Sequence, residues 1–304
     1  GQAVLERQSA SYLGEHAISL REKDYSEQTA REIDLCVKAL LDDAYTRAKA
    51  LLQEHRSDLQ EGARLLLDKE TLTRATKAET VAILNDLQAQ GHALGYIDPA
   101  NLRPILSGPE SSPHAAKLVI GVGTGFNAAP VFDTEAGRLV APSESGHVNL
   151  PLRTDADLRL AHYVETAHGF PGVEDVLSGR GLERIYGWLG QEDGNPSEAK
   201  AADIMAACAD GSDPRAVAAA KVFTRMLGTV AGNLALIQLP FGGVFLVGGV
   251  ARAFAPYLLD YGFGEGFRDK GRFAGFMGNF SVSVIEDDYA ALTGCAAHLV
   301  SLMK

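Results

Sequence analysis

Five short stretches of this 304-residue chain combine residue types that can hold or activate a polar substrate. The first is Asn85-Asp86, directly after the apolar run Val81–Leu84. A carboxylate where a strand gives way to a helix is a frequent position for a general base in layered α/β proteins. The same pair also suits a helix N-cap. The second is Ile120–Asn127, IGVGTGFN, in which an apolar run enters Gly121, Gly123, Thr124 and Gly125. Such glycines let backbone N–H groups approach an oxyanion, and the Thr hydroxyl adds a donor. It reads as a phosphate or sugar contact loop, or as a tight turn between strands. No Gly-Lys-Ser/Thr follows, and the glycine spacing differs from a dinucleotide fingerprint.

The third is Ser143–Val148, SESGHV, where Glu144 and His147 flank Gly146. Glu and His three apart can hold a metal or sugar hydroxyls, because carboxylate oxygens accept from hydroxyl pairs; a solvated loop has the same composition. The fourth is Gly172–Gly181, GVEDVLSGRG, with Glu174 near a helix start. An acid there favours the helix terminus, whether or not it also faces a site. The fifth is Gly242–Val250, GGVFLVGGV, where Gly248 and Gly249 separate an apolar strand from a helix carrying Arg252 and Phe254. Paired glycines let a nucleotide lie against backbone and helix N-terminus, or let strand and helix pack closely.

These stretches need elements to position them, and the chain supplies two unlike halves. All 12 prolines lie at or after Pro99, and only three of 32 glycines fall in the first 70 residues. Those 70 residues hold ten Lys and Arg and fourteen Asp and Glu. Charge without Gly or Pro marks helices; Gly and Pro mark a turn-rich α/β region. In the first part, Ile33, Val37, Leu40, Leu41, Ala44, Ala48, Leu51 and Leu52 recur at three- and four-residue steps, giving one apolar helix face after an N-cap at Ser26. Ser57 with Gln60 forms a capping box that opens a second helix, with Leu59, Ala63, Leu66 and Leu67 inward. His16 and His55 lie in polar surroundings and read as solvated. In the second part the spacing predicts strands over Val81–Leu84, Lys117–Ile120, Val131–Asp133, Gly243–Val247 and Phe280–Ile285. It predicts helices over Asp155–Thr166, Val173–Gly187, Glu198–Ala209, Asp213–Ile237 and Asp288–Met303. Leu106–His114 reads as a turn-rich connection. The alternation is that of an α/β layer fold.

Composition removes several function classes. A formal net charge of −11, with no basic cluster, disfavours nucleic acid. No apolar run reaches the roughly 18 residues of a membrane span. The three cysteines, Cys36, Cys208 and Cys295, have neither CxxC nor Cys/His ligand spacing. They read as reduced thiols of a cytoplasmic protein, with no metal centre. The chain begins with Gly rather than Met, as expected of one processed, tagged or cut from something longer.

Taken together and in order, LNDLQAQGHAL, GVGTGFN, SESGHVNLP, GVEDVLSGRGLERIY and GGVFLVGGV resemble the bacterial glucokinases of the hexokinase superfamily over about residues 79–304. The Cys-rich zinc motif of the repressor-type sugar kinases does not occur. The resemblance implies a ribonuclease-H-like, actin-like α/β fold and ATP-dependent phosphorylation of glucose or a similar hexose, with Mg²⁺. It implies that Asp86 takes the proton from the sugar 6-hydroxyl, and that Asn85, Glu144, His147 and Glu174 bind sugar hydroxyls. By the same resemblance, Gly123, Thr124 and Gly125 form a phosphate loop, with Gly248 and Gly249 on the adenosine side. The family's Asp-Ile-Gly-Gly-Thr phosphate turn does not occur in these 304 residues, nor does the run of strands that would precede Val81. Weak activity is therefore expected, or a sugar-binding or structural protein without catalysis.

Residues from about Leu13 to Leu72 resemble something unrelated, the C-terminal helices of FtsH-type AAA+ zinc metalloproteases. The His-Glu-x-x-His zinc motif is absent, so no peptidase activity is expected. The chain reads as a chimera of a helical segment, residues 1–75, and a glucokinase-like domain, residues 76–304, lacking most of the small domain. The apolar face of Ile33–Leu52 must be buried, either over the open side of that domain or against a second copy of the chain in a homo-oligomer.

Overall fold

The computed structural model of the protein describes residues 82–135 and 137–303. The chain divides into two units, residues 1–81 and 82–304, and the described residues belong to the second. The expected helices around Ile33–Leu52 and after Ser57, with Ser26, His16, His55 and Cys36, lie outside the described residues, as does Val81.

Six strands form one sheet in the order β1-β6-β5-β2-β3-β4. They are β1 (Leu102–Leu106), β2 (Lys117–Val122), β3 (Phe126–Thr134), β4 (Gly137–Val140), β5 (Val244–Val247) and β6 (Val282–Ile285). The consecutive strands β2, β3 and β4 pair antiparallel, while β5 and β6 add in parallel on the other side of β2. Edge strand β1 joins β6 antiparallel. The helices are α1 (Asp86–Ala93), α2 (Asp155–His168), α3 (Val173–Val176), α4 (Gly179–Glu192), α5 (Ala201–Asp210), α6 (Pro214–Gln238), α7 (Gly249–Phe254), α8 (Phe263–Arg268) and α9 (Ala290–Leu302).

The sheet is buried on both faces. In β2, Leu118, Ile120 and Val122 enter the larger core, while Val119 enters the smaller one. That is the period-two alternation of a strand covered on both sides. The larger core packs α6 against the sheet and closes with stacked Phe223 and Phe254, whose ring centroids are 4.4 Å apart. The smaller core packs α1 and α9 on the opposite face.

Helix α1 fits there because two glycines remove side chains at its contacts. A Cβ on Gly91 would stand 2.6 Å from Val140 Cγ1, and one on Gly294 of α9 would stand 1.6 Å from the Ala89 carbonyl oxygen. A glycine inside a helix costs about 1 kcal/mol relative to alanine, a cost offset here by close approach to sheet and helix.

Three expectations are corrected. Ala82–Leu84 is no strand: Ile83 is exposed, and no described strand pairs with this segment. Apolar residues alone do not make a strand where no sheet edge receives their backbone groups. The expected helix Val173–Gly187 is two helices, α3 and α4. Leu177 leaves helical geometry, and the Ser178 hydroxyl caps the new start by accepting from Gly181 N at 3.1 Å. Phe280–Ile285 begins as a strand only at Val282, because Phe276–Asn279 forms a single turn ending at Phe280. The remaining predicted helices hold within a few residues, α6 beginning after an Asp213 cap. Strand β1, with Pro104 inside it, escaped the pattern; it lies at a sheet edge, where proline is tolerated.

Beside α1, His92 is only 6% exposed and stacks on His298 at 4.2 Å. Burial, together with the charges of His298 and Arg138, pushes its imidazole from 6.5 down to about 4. The unfolded chain therefore takes up this proton first as pH falls. Stability is unaffected above pH 6.5 and declines through the window from 6.5 to 4, by about 3 kcal/mol at most. Asp133 acts lower: its hydrogen bond from Arg138, aided by Lys117, outweighs burial and holds it down to about 2. Its stabilisation is lost only as pH falls from 3.8 toward 2. Urea melts of His92→Phe should thus show a flatter stability profile between pH 6.5 and 4 than the parent chain. An unchanged slope would remove His92 as its source.

Candidate active site

The site lies where β2 and β5 end and β3 and α1 begin, as ligand sites of open α/β sheets generally lie at strand ends. A cleft of about 450 Å³ there is lined by Asn85, Asp86, Gly123, Thr124, Gly125, Glu144, Glu174 and Gly248 among others. Of the ten residues singled out in the sequence, eight meet in this one cavity. His147 is exposed on the turn Ser145–His147 beside Glu144, and Gly249 opens α7 next to Gly248; neither lines the cleft.

Asp86 occupies the first turn of α1, where the helix dipole favours a carboxylate. Asn85 caps that helix. Its Oδ1 accepts from Gln88 N at 2.8 Å, and Gln88 Oε1 accepts from Asn85 N at 3.2 Å. The helix-cap reading of Asn85 therefore holds for its oxygen, while among the described residues Nδ2 has no hydrogen-bond partner.

Between β2 and β3, Gly123 N donates to Gly125 O at 2.9 Å, and Gly123 O accepts from Gly179 N at 2.9 Å. Gly125 leaves room for the Glu174 carboxylate: a Cβ there would meet Glu174 Oε2 at 2.6 Å and displace that side chain. Gly123 is under no such pressure, since nothing stands within 4 Å of its Cβ position. Glu174 Oε2 accepts from Phe126 N at 3.0 Å, so half of this carboxylate anchors α3 to the start of β3. Its Oε1 faces Arg180 at 3.9 Å. Across the cleft, Gly248 has φ +109°, and a Cβ on it would stand 2.5 Å from Val122 O.

Asn127 holds the segment that carries Glu144. Its Nδ2 donates to Ser143 O at 2.5 Å; its Oδ1 accepts from Ser145 N at 3.0 Å, Ser145 Oγ at 3.1 Å and Ser143 Oγ at 3.2 Å. Asn127→Ala releases all four contacts to the Ser143–Ser145 segment, together with the one from Ala128 N at 2.8 Å. Each neutral bond contributes about 1 kcal/mol net, so the substitution should destabilise the chain by roughly 1–3 kcal/mol and weaken any ligand that Glu144 holds. Chemical denaturation beside calorimetry would check both; wild-type values for each would deny Asn127 this role.

Asn127, Leu87 and Gln90 also line the cleft and were not singled out. Helical spacing held the signal for Gln90, four residues after Asp86 and therefore on the same face. For Asn127 no local signal existed, because the segment it holds lies 16 to 18 residues away. Among the described residues, no group of three or more His, Cys, Asp or Glu converges to hold a metal ion, and no helix is long and apolar enough to cross a membrane.

The sheet order, with three antiparallel strands extended by two parallel ones and the cleft at their ends, defines an actin-like, ribonuclease-H-like α/β protein of the sugar-kinase class. Glucokinase from an Antarctic psychrotroph superposes with a TM-score of 0.66 at 31% identity, over 71% of this chain and 67% of that one. The glucokinase of Balamuthia mandrillaris, solved in complex with glucose, shares the fold at a TM-score of 0.62 and 21% identity, over 71% of this chain and 64% of that one. The Glucokinase family pattern matches residues 63–302, and the chain belongs to that family. Glucokinase of Brucella abortus biovar 1 (strain 9-941) is 35% identical over 220 residues, which are 72% of this chain and 64% of the relative. That of Mesorhizobium japonicum is 34% identical over 219 residues, with the same coverage. The chain thus spans just under two thirds of the length of these relatives. Residues 1–80 match a second pattern, Peptidase family M41.

Proposed function

We propose that residues 76–304 are a hexose kinase domain that uses ATP to phosphorylate glucose, or a similar hexose, at the 6-hydroxyl. The observation that carries this reading is the meeting of Asp86, the Gly123–Gly125 turn, Glu144, Glu174 and Gly248 on one cleft. The Asp86 carboxylate accepts the 6-hydroxyl proton. The oxygen so freed attacks the terminal phosphorus of ATP, whose bond to the leaving ADP oxygen breaks. Glu144 and the Glu174 oxygen that faces Arg180 accept from ring hydroxyls, and Asn85 Nδ2 donates to one, with His147 at the rim. The turn Gly123-Thr124-Gly125, open above Gly123, offers backbone N–H groups and a hydroxyl to phosphate oxygens, and Gly248 with Gly249 lets the adenosine side lie close to backbone. Phosphoryl transfer asks mainly for positioning and charge stabilisation. Mg²⁺ would ride on nucleotide oxygens, as it commonly does, and neutralise phosphate charge there. A kinase drawing on ATP belongs in the cytoplasm. Residues 1–75, similar to a peptidase-family region without its zinc motif, are read as an appended association segment with no peptidase role, one that pairs copies of the chain.

The test is glucose 6-phosphate formation by the full chain with ATP and Mg²⁺, coupled to a dehydrogenase, beside glucose calorimetry on the same sample. Turnover supports the kinase reading. Binding without turnover would assign a sugar-binding role instead, and neither in a folded sample would leave a structural one.

A further inference from the structure

The ionic side chains that line the cleft carry charge of one sign. Asp86, Glu144 and Glu174 are carboxylates, and among the described residues no Lys or Arg belongs to the lining. A nucleotide brought there is a polyanion, and like charges repel at short range. Phosphoryl transfer draws on positive charge beside the phosphates, from a metal ion and in many cases from an arginine.

Arg180 stands at the edge of this cleft. Its Nη2 faces Glu174 Oε1 at 3.9 Å, and its side chain is 69% exposed. The backbone that carries it is fixed. The Ser178 hydroxyl caps α4, and Gly179 N donates to Gly123 O at 2.9 Å. Arg180 therefore follows directly after a residue bonded to the Gly123-Thr124-Gly125 turn, and the space beside Gly123 is open.

A neighbouring cavity of about 580 Å³ is lined by Arg180 together with Arg184 and Lys200. These two cations are held in place. Arg184 Nη1 donates to Asp175 Oδ1 and to the Asp175 carbonyl oxygen, each at 2.9 Å, and Lys200 pairs with Glu183 at 3.3 Å. The contact between Arg180 and Glu174 is looser. At 3.9 Å it is an ion pair without a hydrogen bond, and an exposed pair of that kind binds its partners weakly. The guanidinium can leave Glu174 for a stronger acceptor. Its planar fork of N–H donors matches the oxygens of a phosphate two at a time.

We infer that Arg180 is a phosphate-contacting residue, whose guanidinium turns from Glu174 to the phosphate oxygens of a nucleotide held on the Gly123–Gly125 turn. This rests on the kinase reading of the cleft. With both substrates bound, the Glu174 oxygen that Arg180 gives up is the one offered to a sugar hydroxyl, so neither charge is left unanswered.

The experiment is calorimetry of the full chain with the β,γ-imido analogue of ATP and Mg²⁺, and separately with glucose. Wild type is compared with Arg180→Ala, Arg180→Lys and, as a control, Lys200→Ala, following the melting temperature of each. Losing a charge-assisted hydrogen bond should raise the Kd of the analogue roughly tenfold in the Ala variant. The Lys variant should recover part of that loss, the control should match wild type, and glucose affinity and melting temperature should stay near wild type. An unchanged analogue Kd in Arg180→Ala would overturn the assignment. An equal weakening of glucose and analogue would also overturn it, marking Arg180 as a support for Glu174. So would an equal loss in Lys200→Ala, which marks a general effect of surface charge. If wild type does not bind the analogue, the kinase reading itself fails, an outcome distinct from the others because it appears before any substitution.

Discussion

Alanine in place of Asp86 should reduce hexose phosphorylation by the full chain about 100- to 10,000-fold, the range that a positioned general base contributes. Glucose affinity should change far less, because the base acts on the proton that leaves during transfer. The fold gives the variant a fair chance to remain intact. Asp86 is exposed in the first turn of α1, and the cap that starts this helix belongs to Asn85 and Gln88. The lost helix-dipole interaction is worth roughly 0.3–1 kcal/mol. Asp86→Asn sharpens the experiment, since it keeps size and hydrogen-bonding reach but cannot hold the proton. Steady-state kinetics by the dehydrogenase-coupled assay should show kcat falling in both variants. A variant with wild-type kcat would take the base role away from Asp86 and leave its carboxylate a helix-terminal charge.

The second large effect should come from a residue distant from the cleft. Gly294→Val places a side chain where the Ala89 carbonyl stands, 1.6 Å from its oxygen and 2.6 Å from its carbon. The obstacle is backbone, which cannot rotate aside. Helix α1 cannot retreat either, because Gly91 already seats it against Val131 and Val140 of the sheet. Overpacking a core typically costs 1–3 kcal/mol, and a clash with backbone on a helix held from both sides belongs at or above that upper end. For a unit of this size each kcal/mol moves the melting temperature about 2–4 °C, so a drop of roughly 10 °C is expected. Ligand affinity should fall as well, because Asn85, on the cleft, caps the start of α1. Gly278→Ala serves as the control, having nothing within 4 Å of its Cβ position. A Gly294→Val chain that melts with the parent would show that α1 and α9 separate at little cost.

Much of this architecture was legible in residue order. Helices α2, α5 and α6 announced themselves through apolar periodicity and through caps such as Asp213, both local properties of consecutive residues. Central strands β2 and β5 did so through short apolar runs bounded by glycine. The strand failures share one cause. Ala82–Leu84 has a strand's composition but no described strand beside it, and β1 has a poor strand composition but an edge that accepts it. Strand identity depends on a partner, which may be far away in the chain.

The site divides along the same line. Residue types and order by themselves singled out segments that meet on the cleft: a carboxylate at a helix start, glycines in a turn, and acids in two connecting segments. Those properties follow from side-chain chemistry and from backbone freedom at glycine, and neither needs a fold. Only the tertiary structure decided how each group is used. It gave one Glu174 oxygen to Phe126 N and Asn85 Oδ1 to the helix cap, and it set Asn127 under the Glu144 segment. It left Gln90 Oε1 buried without a donor among the described residues. A hydrogen bond between residues 16 or 48 positions apart exists only once the sheet brings them within 3 Å or so, and no spacing along the chain encodes that distance.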